Sequence, residues 1–243
     1  MTTAETPAPA TVMPRIGEPA PAFTAVTTQG EIDFPADYAG RWVIFFSHPA
    51  DFTPVCTSEF MTFASMQKEF AAYNTALVGL SVDGLYSHIA WLRTIKDKIS
   101  FRDMKNVEVT FPLIEDVSMR IAEMYGMIMP GEDSTKAVRA VFVIDPEGKI
   151  RTVIYYPLSL GRNFDELLRV IKALQTADHF AVATPADWRP GEPVIVPPAG
   201  SCGTAAQRMS EQNDGLHCED WFFCTKDIPA DQIESAIRVK GDA

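Results

Sequence analysis

Hydrophobic positions along this chain switch repeatedly between strand-like and helix-like spacing. Residues 23–28 and 31–33 flank Gln29-Gly30 and predict a hairpin. Residues 41–47 carry Trp42-Val-Ile-Phe-Phe46, an apolar run suited to a central strand buried on both faces. Over 56–73, Phe60, Phe63, Ala64, Met66, Gln67 and Phe70 fall at roughly helical spacing. Residues 76–82 predict a strand, and 86–99 a helix with Ile89, Leu92 and Ile95 on one face. A short strand at 111–114 and a short helix at 117–125 follow. Two strands, 137–144 and 150–156, are joined by Asp145-Pro-Glu-Gly148, whose Pro and Gly suit a tight reversal. Asn163 or Asp165 can cap an amphipathic helix that ends near Gln175, with Phe164, Leu167, Leu168, Ile171 and Leu174 inward.

This alternation predicts an α/β sandwich around a central β-sheet, mostly parallel in the middle and edged by a hairpin. The pattern then changes. Residues 184–198 hold Pro185, Pro190, Pro193, Pro197 and Pro198, which suits an extended arm. A helix near 204–213, then Cys218 and Cys224, then a short helix from Asp231 complete the tail. We therefore expect a flexible Pro/Ala/Thr-rich tail at 1–14, a folded domain at 15–180 and a C-terminal arm at 181–243. The arm has too little core to fold alone, so it is expected to dock on another subunit.

Composition adds mainly exclusions. Of 243 residues, 32 are acidic and 21 basic, a net charge of −11, which argues against nucleic acid or an anionic membrane surface as partner. The opening residues have neither a basic segment nor an apolar core, so they do not read as a signal peptide. The strand-like apolar runs are far too short to span a membrane. Four cysteines are too sparse for a disulfide scaffold and suit a reducing compartment, the cytoplasm.

Chemistry concentrates in Phe45-Phe-Ser-His-Pro-Ala-Asp-Phe-Thr-Pro-Val-Cys56. A buried strand runs into a proline-punctuated loop, and a cysteine follows at the first turn of a helix. Free N–H groups and the positive end of the helix dipole face such a sulfur and favour thiolate over thiol. Pro49 and Pro54 stiffen the approach, and Thr53 can aim its hydroxyl at an oxygen bound beside the sulfur. Taken alone, Cys56 also fits a buried structural cysteine, Arg139 a strand-end surface charge, and His48 a satisfied polar group after a buried strand.

The spacing Pro49-x3-Thr53-x2-Cys56 within FFSHPADFTPVCTSEF resembles the active-site motif of the peroxiredoxins, thiol peroxidases of thioredoxin-like fold. Residues 135–145 (TKAVRAVFVID) and 151–162 (RTVIYYPLSLGR) resemble that family's next segments in order. The tail, with Val194-Ile-Val-Pro-Pro198 and Trp221-Phe-Phe-Cys224, is most similar to the peroxiredoxin 6-type group, particularly archaeal and bacterial members with extra C-terminal cysteines. The resemblance covers about residues 14–229.

It implies Cys56 as the peroxidatic nucleophile, Pro49 as its shield and Thr53 as a hydrogen-bond partner of the peroxide. Arg139 and Arg162 would hold the thiolate ionised and donate to the peroxide oxygens, and His48 matches a histidine of this subgroup. It further implies that Cys224 of a neighbouring subunit resolves the sulfenic acid and that Cys218 exchanges with Cys224. The alternatives left open are a one-cysteine enzyme reduced by an external thiol, and an additional holdase or signalling role. Hydroperoxide substrates, a thioredoxin-like or other dithiol reductant, and a homodimer or a decameric ring follow as expected partners. No metal or other cofactor is implied. Cys202 has no counterpart and reads as an exposed free thiol. The stretch from Asp83 to Tyr86 lacks the GGLG insertion of peroxide-sensitive relatives, so resistance to over-oxidation is expected.

Overall fold

The computed structural model describes residues 13–210 and 215–239. Most of the expected 1–14 tail, and the end of the helix expected at 204–213, lie outside the described residues. Two compact units divide the chain between Arg162 and Asn163.

The first unit runs β1 (Phe23–Thr27), β2 (Gly30–Phe34), β3 (Trp42–Ser47), α1 (Pro54–Ala72), β4 (Thr75–Ser81), α2 (Leu85–Lys98), β5 (Ser100–Phe101), β6 (Met104–Lys105), β7 (Leu113–Glu115), α3 (Arg120–Met124), β8 (Arg139–Ile144) and β9 (Ile150–Tyr156). Seven strands form one sheet in the order β2-β1-β7-β4-β3-β8-β9. Its middle strands β7, β4 and β3 are parallel. The strands on either side pair antiparallel, with a hairpin at each edge. This is the α/β sandwich the alternation predicts, in the thioredoxin-like form the resemblance implies.

All six residues of β3 are buried, as its unbroken apolar run requires of a central strand. Successive side chains leave a strand on opposite faces, and Phe45 and Phe46 accordingly serve different cores. Phe45 packs with Phe34 and Tyr125 at ring separations of 5.1 and 4.8 Å. Phe46 stacks on Phe63 of α1 at 4.1 Å and meets Phe111 at 5.7 Å. The Phe46 ring leaves no room on the neighbouring strand: a Cβ at Gly79 would lie 3.1 Å from it.

In α2 the expected inward face holds only in part, with Ile95 buried and Leu92 half-buried. His88, Trp91 and Ile95 are buried, whereas Ile89 is 38% exposed. His88 joins the buried side because it finds polar partners inside, described below. The short pair β5–β6 has no apolar alternation and is unmarked in the sequence.

The second unit contains α4 (Phe164–Phe180), β10 (Val194–Ile195), α5 (Cys202–Arg208), β11 (His217–Asp220), β12 (Phe223–Lys226) and α6 (Ala230–Ile237). Asn163 caps α4, its side chain accepting from the Glu166 N–H at 3.2 Å. The helix extends five residues past Gln175 and ends at Ala181 in the left-handed region. It groups with the second unit rather than the first, while the sequence reading draws the domain boundary after it, at 180. Lys172 of α4 pairs with Glu234 of α6 at 3.3 Å. Strand β12 is the centre of a three-stranded sheet, β10-β12-β11. Across its β11–β12 pair Cys218 faces Cys224, and the two form a disulfide.

Candidate active site

Helix α1 starts where the sequence marks it. Thr53 is extended at the N-cap and Pro54 takes the first helical position, where its fixed φ costs nothing. Cys56 is therefore the third helical residue and points inward, fully buried. The Thr53 hydroxyl donates to the Ala50 carbonyl at 2.8 Å, so its oxygen keeps lone pairs to offer. Pro49 is buried in the same loop. An open, largely apolar cleft of about 580 Å³ flanks this turn, walled by Phe52, Pro54, Val55, Trp91, Ile99 and Phe101.

Arg139, at the start of β8, reaches Cys56 directly: Nη1 donates to Sγ at 3.3 Å. The same nitrogen donates to Glu59 Oε2 at 2.7 Å, and Nε and Nη2 both donate to the Leu158 carbonyl, at 3.1 and 2.8 Å. Arg162 is buried beside it. Its Nε and Nη2 hold the two oxygens of Glu59 at 3.0 and 2.8 Å, and Nη2 also donates to the Ser47 carbonyl at 2.9 Å. Its guanidinium lies over the rings of Phe46 and Phe63, 5.1 and 5.6 Å from their centroids.

Glu59 is thus the hub of the site, and the sequence reading passes over it. Its signal is its position three residues after Cys56, on the helix face it shares with Phe60 and Phe63. Burial pushes its carboxyl up, but the charge and hydrogen bonds of Arg162, then the charge of Arg139, outweigh burial and hold it below the usual range. Two guanidinium groups and one carboxylate leave one positive charge uncompensated in a dry site. Cys56 Sγ is the adjacent group that Arg139 contacts.

A second buried network links the loop before α1 to helix α2. His48 Nε2 meets Asp51 Oδ1 at 3.0 Å, and Asp51 Oδ2 meets His88 Nδ1 at 2.8 Å. His88 Nε2 faces the Ile114 carbonyl at 3.1 Å. Burial alone would raise the Asp51 carboxyl, yet the hydrogen bonds and charges of the two histidines hold it well below its usual range. Burial lowers His48, against the opposing pull of Asp51. His48, Asp51 and Asp83 offer atoms close enough together to hold a metal ion, within 4.8 Å. Asp83 Oδ2 accepts from the Asp51 N–H and the Ser81 hydroxyl.

The structure therefore brings Cys56, Arg139 and Arg162 together around Glu59, with Thr53 and Pro49 in the adjoining loop. In the second unit Cys218 and Cys224 are joined to each other and offer no free thiolate to a metal. Cys202 is a free, exposed thiol.

A sulfur contacted by a guanidinium, opening a helix over a sheet of this order, belongs to the thiol-dependent peroxidases of thioredoxin-like fold. Sequence and structure comparison narrows that class. Residues 16–153 match the AhpC/TSA family, and residues 173–211 match the C-terminal domain of 1-Cys peroxiredoxin. A peroxiredoxin of Methanosarcina mazei is 59% identical over 214 residues, which are 88% of this chain and 98% of that protein. The yeast mitochondrial 1-Cys peroxiredoxin superposes with a TM-score of 0.76 at 39% identity, over 89% of this chain and 100% of that one. A mutant of the peroxiredoxin 6 of Arenicola marina gives a TM-score of 0.76 at 31% identity, over 88% of this chain and 98% of that one. The chain belongs to the peroxiredoxins, the AhpC/TSA family, and is a thiol-dependent peroxidase. Among the described residues no helix is long and apolar enough to cross a membrane.

Proposed function

We propose that this peroxidase reduces hydrogen peroxide and organic hydroperoxides at Cys56 and is recycled through its two C-terminal cysteines. The observation that carries the first half is the Arg139 donor on the buried Cys56 sulfur. The thiolate attacks the terminal oxygen of the hydroperoxide and the O–O bond breaks. Sulfur is oxidised to sulfenic acid, and the departing oxygen takes a proton and leaves as water or an alcohol. Arg139 and Arg162 supply donors for charge developing on that oxygen, and Glu59 fixes both forks in place. Thr53 turns its hydroxyl from Ala50 to the peroxide, and Pro49 shields the sulfur from solvent.

In the second half, Cys224 of the neighbouring subunit condenses with the sulfenic acid, releasing water and forming a mixed disulfide. Cys218 then attacks Cys224, freeing Cys56 as thiolate. The product of that exchange is a Cys218–Cys224 disulfide, the bond formed between β11 and β12, which supports this order of events. A thioredoxin-like or other dithiol donor returns the pair to thiols and is itself oxidised. The assignments drawn on are a peroxidase domain at 15–180 and a dimerisation arm at 181–243, in a homodimer or a ring of five dimers. A reducing cytoplasm suits thiols that form disulfides only during turnover.

A second reading has its own support. The match to a 1-Cys C-terminal domain ends at residue 211, before either cysteine, and the yeast 1-Cys relative is described as resolving its thiol via glutathione/thioredoxin systems. In that reading an external thiol reduces Cys56 directly. One equivalent of hydrogen peroxide followed by non-reducing electrophoresis separates the two. A subunit-linked band should accumulate in Cys218→Ser, where the exchange is blocked, and be lost when Cys224→Ser is added to that variant but not when Cys202→Ser is. Unlinked subunits in Cys218→Ser would establish the external-thiol reading instead.

A further inference from the structure

The turn between β11 and β12, with the first residue of β12, exposes three consecutive aromatic side chains beside the arm disulfide. Trp221, Phe222 and Phe223 are 44%, 54% and 47% exposed. At the ~150–250 Å² that an aromatic side chain presents, those fractions leave roughly 300 Å² of ring surface in water, the scale of a functional patch. The turn is held in place. The Trp221 N–H donates to Asp220 Oδ1 at 2.7 Å. Arg208 of α5 donates from Nη1 to the Trp221 carbonyl at 3.3 Å and from Nη2 to the Pro197 carbonyl at 2.7 Å. The Trp221 and Phe222 rings meet edge to face, 5.6 Å apart. Apolar surface preorganised in this way loses little entropy when a partner covers it.

The two cysteines beside this patch are not equally open. Cys224 is fully buried, whereas Cys218 is only half-buried. A thiolate reduces a disulfide by attacking one sulfur and expelling the other, and access helps decide which. Cys218 is the sulfur a reductant can reach, so Cys224 is the one expelled. Cys224 Sγ lies 3.5 Å from the Asp220 carbonyl and 4.0 Å from the Trp221 carbonyl, acceptors for the thiol it becomes on taking a proton. Charge narrows the partner further. Glu219, Asp220 and Asp227 flank the pair, and Lys226 is the one Lys or Arg in either strand, which disfavours a small anionic thiol.

We infer that this aromatic turn is the docking surface for the protein dithiol that reduces the arm, a partner whose reactive sulfur sits in an apolar, uncharged face, and that Cys218 is the sulfur it attacks. The inference rests on the recycling scheme proposed above, in which Cys218–Cys224 is the disulfide the reductant meets. Once Cys218 has displaced Cys56, no covalent bond holds the turn at the neighbouring subunit. The partner's thiolate attacks Cys218 Sγ, the Cys218–Cys224 bond breaks, and Cys224 leaves as a thiolate that is protonated. The partner's second thiol, as thiolate, then attacks the partner's own sulfur in the mixed disulfide and releases Cys218, which is protonated in turn. Two electrons pass from the partner, which leaves as an internal disulfide, and its two protons end on Cys224 and Cys218. A small dithiol can perform the same exchange but cannot cover the rings.

The test uses the full chain carrying Cys56→Ser and Cys202→Ser, so that the arm disulfide is its only cysteine chemistry, and uses no peroxide. Reduction of that disulfide is timed by quenched alkylation, with a thioredoxin and with dithiothreitol, before and after Trp221→Ser and Phe222→Ser are added. The added pair should lower the second-order rate with thioredoxin at least about tenfold, as loss of central aromatic contacts does, and change the dithiothreitol rate less than about twofold. Equal slowing of both reductants, or of neither, overturns the inference. If neither slows and the assembly dissociates on sedimentation, the rings face a second copy instead. A thioredoxin whose second cysteine is serine stops at the mixed disulfide, which peptide mass should place on Cys218. A mixed disulfide on Cys224 overturns the assigned order of attack. Unlinked subunits in the Cys218→Ser experiment above, by contrast, refute the recycling scheme and not the docking read from these rates.

Discussion

Glu59 and Arg162 are joined by three hydrogen bonds: Nε to Oε1 at 3.0 Å, Nη2 to Oε2 at 2.8 Å, and the Arg162 backbone N–H to Oε1 at 2.9 Å. Both side chains are buried, so Glu59 keeps two guanidinium groups at close quarters in a low-dielectric site. Removing its charge leaves those cations uncompensated. Glu59→Gln should lower unfolding stability by about 3–5 kcal/mol, read from urea midpoints at neutral pH. The carboxyl lies below its ordinary value of 4.5 in the folded protein. Its contribution is therefore fully present above about pH 4.5 and lost as pH falls through the lower folded value. Wild type should lose stability steeply in that acid window, and Glu59→Gln should lose less. Parallel acid limbs for the two proteins would rule out Glu59 as the source.

Arg139 is placed by a different constraint. Its Nε and Nη2 fork onto the Leu158 carbonyl, which aims Nη1 at both Cys56 and Glu59. Lysine has one nitrogen and cannot meet three partners in that plane. Arg139→Lys keeps the charge, loses the geometry, and should cut the second-order rate of Cys56 oxidation by about 10²–10³-fold, as deletion of a transition-state donor does. Stopped-flow measurement of sulfenic acid formation checks this. A rate within twofold of wild type would show that charge alone suffices.

The contrast between Cys56 and Glu59 shows what was legible in the sequence. Pro49, Thr53 and Cys56 lie in one contiguous stretch between an apolar run and a helix, so residue chemistry and spacing mark them. The sheet was legible for the same reason, since the all-apolar 42–46 run suits a central strand. Arg139 and Arg162 were legible only through family resemblance, because nothing near them in sequence tells a buried arginine from a surface one. Glu59 was missed because a lone glutamate on a helix normally faces water; the arginines that draw it inside lie 80 and 103 residues away. The α2 face was only partly legible because His88 owes its burial to Asp51, 37 residues away. A period of apolar residues cannot register a polar contact made across the fold. The β11–β12 pair, with only four residues per strand, offers too little alternation to be seen.

Over-oxidation tests the timing of resolution. A sulfenic acid that waits beside peroxide advances to sulfinic acid, while one captured by a thiol does not. Helix α2 begins at Leu85 directly after Asp83-Gly84, with none of the insertion carried by sensitive relatives. Under a tenfold excess of peroxide with a dithiol reductant, mass spectrometry should find Cys56 mainly free of sulfinic acid. Cys224→Ser lacks the proposed resolver and should accumulate sulfinic acid within the same period. Equal accumulation in both proteins would mean that Cys224 does not protect Cys56.

Cys202 separates exposure from function among the four cysteines. It opens α5 behind the Ser201 cap, is exposed, and is a free thiol. Cys56 is equally free but fully buried, and Cys218 and Cys224 are bonded to each other. A maleimide attached to a long polymer, too bulky to enter a closed core, should therefore label the native protein once per chain. Labelling should vanish in Cys202→Ser and rise in wild type once a reductant opens the β11–β12 disulfide and denaturant exposes Cys56. Peroxide turnover with a dithiol donor should be the same in Cys202→Ser as in wild type, because the proposed exchange uses only Cys56, Cys224 and Cys218. A turnover loss above about threefold in that variant, roughly 0.7 kcal/mol, would place Cys202 in the recycling route and not at its edge.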